Sequence, residues 1–240
     1  MTEIIINGPE GRIEAGFRRK SFDPKLPIAL ILHAHPDQGG SMNSKIPYSL
    51  FSIFSLMGFN TLRFNFRGIG RSEGRFGNGE GELYDAAYIL DWVQSKYPDA
   101  ANFWVGGFSF GAWIGMQLLM RRPEIHGFVS ISPPANTHDF GFLAPCPVSG
   151  IIIQGTEDTV VPKSSVDILY SKLCTQKNIK INYSIITGAD HFYNGKLTQL
   201  RDLVHDYLQS RMGQIMTEPS KLKYTKNKRI LKRRAYKSFQ

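Results

Sequence analysis

The sequence predicts an α/β fold, a mostly parallel sheet covered by helices on both faces. Three observations carry this expectation. Strand-like segments alternate with helix-like segments along most of the chain. Several of the strand candidates, Ile28–His33 and Val148–Gln154 among them, are near-continuous apolar runs, the pattern of strands buried on both sides. Finally, 42% hydrophobic and 20% charged residues in a 240-residue chain suffice to bury one sizeable core and exclude a disordered or fibrous protein.

The elements follow in order. Thr2–Ile6 and Arg12–Phe17 flank Asn7-Gly8-Pro9-Glu10-Gly11 and read as an opening hairpin. Ile28–His33 is the first buried strand. Ser44–Met57 is apolar at helical spacing and stops at Gly58, and Asn60–Phe66 is the next strand. Glu82–Lys96 places Leu83, Ala86, Ala87, Ile89, Leu90 and Val93 on one helical face. Phe103–Phe108 reads as a strand, Ser109–Met120 as a helix, and Gly127–Ile131 and Val148–Gln154 as strands. Ser164–Leu173 as helix, Ile179–Ile186 as strand and Leu197–Met212 as helix complete the pattern. The sequence contains no internal repeat.

Charge divides the chain unevenly. The formal net charge is +9, from 29 Lys+Arg against 20 Asp+Glu. Nine of the cations lie in residues 221–240, which hold no acid, so the remainder is balanced. We therefore expect a neutral domain over 1–217 with a basic tail over 218–240, rather than a globally basic nucleic-acid-binding fold. A run of like charge resists packing, and an anionic partner for the tail, nucleic acid or an acidic membrane surface, is the functional expectation it raises. The two cysteines, Cys146 and Cys174, belong to no C-x-x-C pair, which disfavours a disulfide framework and a zinc site. The N-terminal residues lack a basic stretch and a long apolar run, so a cytoplasmic location is expected.

The sharpest motif is Gly107-Phe108-Ser109-Phe110-Gly111, a G-x-S-x-G between a strand and a helix. A serine in a sharp strand-to-helix turn projects its hydroxyl beyond the sheet edge. Glycines two residues away on each side let the backbone close around it. Ser109 is therefore the candidate nucleophile, and serine needs a neighbouring base. Of the six histidines, His191 lies in Gly188-Ala189-Asp190-His191-Phe192, after the last predicted strand and before the last helix; His205 lies within that helix. Glu157 and Asp158, in Gly155-Thr156-Glu157-Asp158-Thr159-Val160-Val161-Pro162, compete as the acid that orients the base, and Asp190 reads as structural. His33-Ala34-His35-Pro36 presents two histidines without a third ligand, weak grounds for a metal. Asn65–Gly74 is glycine-rich but lacks the spacing and following helix of a dinucleotide site, so no cofactor is expected. Arg67 and Arg71 within it read as members of structural ion pairs.

Taken together, H-x-H-P-x-x-G-G at His33–Gly40, N-F-R-G-x-G-x-S-E-G at Asn65–Gly74, G-x-S-x-G, G-x-x-D-x-x-V-P at Gly155–Pro162 and D-H-F at Asp190–Phe192 resemble the α/β-hydrolase superfamily. The resemblance covers roughly residues 1–212 and is to small cytosolic serine hydrolases without a lid. It implies an α/β-hydrolase fold on an eight-stranded sheet, with Ser109, Asp158 and His191 as the triad in that chain order. It also implies an oxyanion hole from the backbone N–H of Phe110 and of a residue in the loop after Ile28–His33, His35 or a neighbour other than Pro36. Only Ser132–Pro147, with four prolines, separates two successive strands where relatives insert a helical lid, so the site should be open. The expected activity is cleavage of a carboxylic ester or thioester of a small acyl substrate through an acyl-enzyme. Peptidase or acyl-amide cleavage is the alternative within the enzyme class, and a non-catalytic binding protein the alternative outside it.

Overall fold

The computed structural model describes residues 2–143, 145–176 and 179–217. Eight strands form one sheet in the order β1-β2-β4-β3-β5-β6-β7-β8. The hairpin β1 (Thr2–Gly8) and β2 (Gly11–Arg18) is antiparallel, and β2 joins β4 (Asn60–Phe64) antiparallel as well. All further pairings are parallel: β4 with β3 (Ile28–Leu32), β3 with β5 (Phe103–Phe108), then β6 (Ile125–Ile131), β7 (Gly150–Gly155) and β8 (Ile181–Ile186). Every residue of β3, β4, β5 and β7 is buried, as strands covered on both faces require, and in β4 this includes the polar Asn60, Thr61 and Arg63.

The helices are α1 (Lys45–Leu56), α2 (Glu80–Lys96), α3 (Phe110–Arg121), α4 (Lys163–Leu173) and α5 (Leu197–Thr217). Alternation along β5 shows which face each covers. A Cβ on Gly106 would meet Phe54 and Leu50 of α1, whereas Val105 lies against Gly115 of α3. Ser130 donates to Met116 Sδ of α3, and Tyr183, in register with Ile152 and Ser130, donates its hydroxyl to Asp167 of α4 at 2.8 Å. Thus α1 covers one face and α3 and α4 the other, with α2 packed beside α3. Phe54 of α1 packs with Phe59 and Trp104, the three ring centroids 5.0–6.4 Å apart. Each such buried side chain contributes about 1.5–3 kcal/mol of apolar burial.

One compact unit ends at His205 and a second begins at Asp206, within α5. The expected basic tail, 218–240, lies outside the described residues. Helix α2 begins two residues before the expected Glu82 because that side chain caps the turn ahead of it, accepting the Gly77 and Gly79 N–H at 2.9 and 2.8 Å. Among the described residues the segment between β6 and β7 holds only a 3-10 turn at Gly141–Leu143 and no lid domain. Cys146 and Cys174 are both free. Among the described residues no helix is long and apolar enough to cross a membrane.

Candidate active site

Ser109 stands alone between the last residue of β5 and the first of α3, with φ 52° and ψ −121°. A non-glycine residue pays on the order of 1–3 kcal/mol to hold such a backbone. The surroundings enforce it. The Ser109 N–H donates to Ile131 O at 2.9 Å, and its carbonyl accepts the Ala112 N–H at 2.8 Å. A Cβ on Gly111 would lie 2.5 Å from Leu32 O, and one on Gly107 2.6 Å from the Gly111 carbonyl carbon. Both glycines are thus required for strand and helix to close around the serine.

His191 follows β8 on the loop before α5. Its Nε2 lies 3.2 Å from Ser109 Oγ and its Nδ1 2.8 Å from Asp158 Oδ2. A carboxylate there selects the tautomer with the proton on Nδ1, leaving the Nε2 lone pair facing the hydroxyl. The imidazole lies against the Phe108 ring, centroids 5.0 Å apart, and is 5% exposed. The Phe192 ring, edge-on to the imidazole with centroids 5.3 Å apart, is exposed.

Asp158 sits three residues after the end of β7. Its Oδ1 accepts the Val160 and Val161 N–H at 3.0 and 2.8 Å, and its Oδ2 accepts Gln154 Nε2 at 3.1 Å besides His191. Burial pushes this carboxyl up, but hydrogen bonds from His191, the Val161 amide and Gln154 outweigh it and hold the group below the usual carboxylate range. Glu157 is exposed, and Asp190 turns away to accept the Asn194 backbone and side chain at 2.9 and 2.7 Å. The structure therefore brings Ser109, His191 and Asp158 together and leaves Glu157, Asp190 and the exposed His205 apart from them.

Phe110 opens α3, where first-turn N–H groups have no intrahelical acceptor. The His35 ring packs on the Phe110 ring at 5.1 Å. The His35 carbonyl accepts the Gln38 and Gly40 N–H at 3.2 and 3.0 Å, which closes a turn after β3. His33 is different: Phe66 N–H donates to its Nε2 at 3.0 Å, and its Nδ1 is 2.7 Å from Ala34 O. Both ring nitrogens are thereby spent on backbone. Among the described residues no group of three or more His, Cys, Asp and Glu is placed to hold a metal. The glycine-rich loop after β4 is closed by structural pairs: Arg67 grips buried Asp85 at 2.8 and 3.0 Å, and Arg71 reaches Glu14 and Glu3.

Two supporting residues escaped the sequence reading. Gln154 is a polar residue at the end of an apolar strand, a visible anomaly. Tyr193, two residues after His191, is fully buried with φ 54°, and its hydroxyl meets Ser132 Oγ at 3.0 Å and Ile153 O at 3.3 Å. Ser132 itself has φ 45° and bonds Ile153 O through its N–H. Lys45 Nζ holds Asn194 at 2.9 Å from α1. The histidine loop is thus fastened both to the ends of β6 and β7 and to α1.

A family model for the alpha/beta hydrolase fold matches residues 28–147. An uncharacterized protein of Rickettsia prowazekii is 50% identical over 212 residues, covering 87% of this chain and 89% of its own. A crystal structure of a protein of unknown function from Agrobacterium tumefaciens, described as a candidate alpha/beta hydrolase, shares 56% identity with a TM-score of 0.86. It covers 88% of this chain and 97% of that one. A structure from Xanthomonas campestris, described as an a/b serine hydrolase without lid, shares 28% identity with a TM-score of 0.77 over 88% of this chain and 94% of its own.

Proposed function

The chain belongs to the α/β-hydrolase fold family, and on that premise we propose that it is a serine esterase acting on carboxylic esters or thioesters of small acyl groups. The observation that carries this reading is the unbroken hydrogen-bonded line from Asp158 through His191 to Ser109. In the proposed reaction His191 Nε2 takes the Ser109 proton as Oγ attacks the acyl carbon. Asp158 keeps the imidazole in the required tautomer and stabilises the cation. The N–H groups of Phe110 and His35 face the oxyanion of the tetrahedral intermediate. His191 then protonates the leaving alcohol or thiol, and the acyl group remains on Ser109. Water, deprotonated by His191, attacks the acyl-enzyme in turn, and the imidazolium returns that proton to Ser109 Oγ as the acyl–oxygen bond breaks and the carboxylic acid leaves.

The short connection between β6 and β7 supports an open site and solvent-accessible substrates over an interfacial one. Exposed Phe192 and Val160, beside His191 and Asp158, give the mouth an apolar rim. The basic stretch 221–240 contributes nothing to this chemistry in the proposal; its role is electrostatic attachment to an anionic partner. Hydrolysis of p-nitrophenyl esters of increasing chain length tests the reading. The parent protein turns over the short members with a burst of p-nitrophenol from acyl-enzyme formation, and absence of turnover across the series contradicts it.

A further inference from the structure

Strand β7 reads Gly150-Ile151-Ile152-Ile153-Gln154-Gly155, and every residue of it is buried. Packing alone would continue the isoleucines, yet position 154 carries an amide with no exposed surface. Its Oε1 is shut off from solvent and has no donor among the described residues, which is unfavourable for a buried carbonyl. An apolar side chain of the same length would avoid that loss, so the reason for the amide lies at its nitrogen. Gln154 Nε2 donates to Val161 O at 2.8 Å and to Asp158 Oδ2 at 3.1 Å, and lies 3.5 Å from Gly155 O. All three neighbours are acceptors. With oxygen and nitrogen exchanged, Oε1 would face them with no proton between, so the surroundings fix the orientation of the amide.

The two bonds do different things. The one to Val161 O closes the acid loop onto the end of β7. The one to Asp158 completes the hold on the carboxylate. Oδ1 is fixed by the Val160 and Val161 N–H, and Oδ2 is shared between Gln154 Nε2 and His191 Nδ1. Gln154 thus anchors Oδ2 from the sheet, on the side of the triad that does not move a proton. Burial pushes the Asp158 carboxyl up, and the bonds from His191, the Val161 amide and Gln154 outweigh it and keep the group ionised.

We propose that Gln154 is a positioning residue for the reaction at Ser109: its amide fixes Asp158 Oδ2 independently of His191, so the carboxylate is in place before the imidazole takes the serine proton. Gln154 touches neither substrate nor serine and acts through Asp158. The proposal rests on Asp158, His191 and Ser109 working as the triad, and not on the class of acyl substrate.

The rate of fluorophosphonate labelling of Ser109 in the full chain tests it, because the probe reads activation of the serine whatever its substrate. Gln154→Met, which keeps the length and removes the donor, slows labelling about tenfold. Gln154→Glu restores the rate to within about threefold of the parent. Beside buried Asp158 the new carboxyl stays protonated, and its single O–H donates to Asp158 Oδ2 while Val161 O goes without. That variant therefore separates the bond to Asp158 from the bond that closes the loop. In an Asp158→Asn background, labelled at raised probe concentration, Gln154→Met slows the reaction by less than about twofold further, since the carboxylate it acts through is gone. If Gln154→Met does not fold, Gln154→Asn, which withdraws the amide by one methylene, gives the same slowing. A parental labelling rate in the folded variant, Gln154→Glu as slow as Gln154→Met, or a full tenfold effect in the Asp158→Asn background overturns the proposal. A parent that labels but turns over no p-nitrophenyl ester contradicts the esterase reading alone, whereas a parent that does not label overturns both.

Discussion

His33 and His191 are both buried imidazoles at the C-terminal edge of the same sheet, and they are built for opposite ends. His33 closes the crossover between β3 and β4: Phe66 N–H donates to one nitrogen, and the other meets Ala34 O. Burial pushes its pKa down to about 4, so it is neutral and has no nitrogen left for chemistry. His191 has a carboxylate on one nitrogen and a serine hydroxyl on the other, on a loop fastened by Tyr193 and Asn194. Burial alone therefore does not distinguish a base from a brace; the partners of the two ring nitrogens do.

The largest effect is expected at Ser109. Ser109→Ala removes the nucleophile and lowers kcat by on the order of 10⁶-fold, as measured with a p-nitrophenyl ester, while the fold persists. Asp158→Asn, which favours the wrong imidazole tautomer, costs on the order of 10⁴-fold, and Glu157→Gln is close to silent. Reversal of that pair of results would move the orienting acid one residue back.

On the His33 side the expected signature is in stability rather than rate. The folded protein keeps His33 neutral, while the unfolded chain takes up a proton below pH 6.5. Its contribution is complete above pH 6.5 and is lost as pH falls toward about 4. The drop from 6.5 to about 4 is worth about 3 kcal/mol. Denaturant midpoints across that window should fall steeply in the parent and less steeply in His33→Asn. Equal slopes would show that other groups carry the acid sensitivity.

Tyr193→Phe is a finer probe of the His191 side. It removes only the hydroxyl that ties the loop to Ser132 and Ile153, so kcat falls about tenfold with KM little changed. A proportionate loss of stability without a kcat change would make the contact merely structural. The smallest effect is expected from truncation after Glu218: ester turnover is unchanged, while salt-sensitive retention on RNA or anionic vesicles is lost. Retention that survives truncation would place the anionic contact on residues before 218.

Much of the fold was legible because its signals are local. The continuous apolar runs marked β3, β5 and β7, and the spacing of Leu83, Ala86, Ile89, Leu90 and Val93 marked α2. The elbow was legible for the same reason, since both glycines around Ser109 answer a steric demand within five residues. The roles of His33 and Tyr193 were not. Each depends on a backbone or hydroxyl group 33 to 61 residues away, and nothing in the neighbouring sequence specifies those partners. The choice of Asp158 over Glu157 likewise becomes physical only with the Val160 and Val161 amides, which close on Oδ1 of the one and leave the other exposed.

If Asp158, His191 and Ser109 act as one unit, labelling with a fluorophosphonate followed by peptide mapping reads it out. A single adduct on Ser109 is expected in the parent and in His205→Ala, and strongly slowed labelling in His191→Ala and Asp158→Asn. An adduct that forms at the parental rate without His191, or one that maps to a residue other than Ser109, would contradict it.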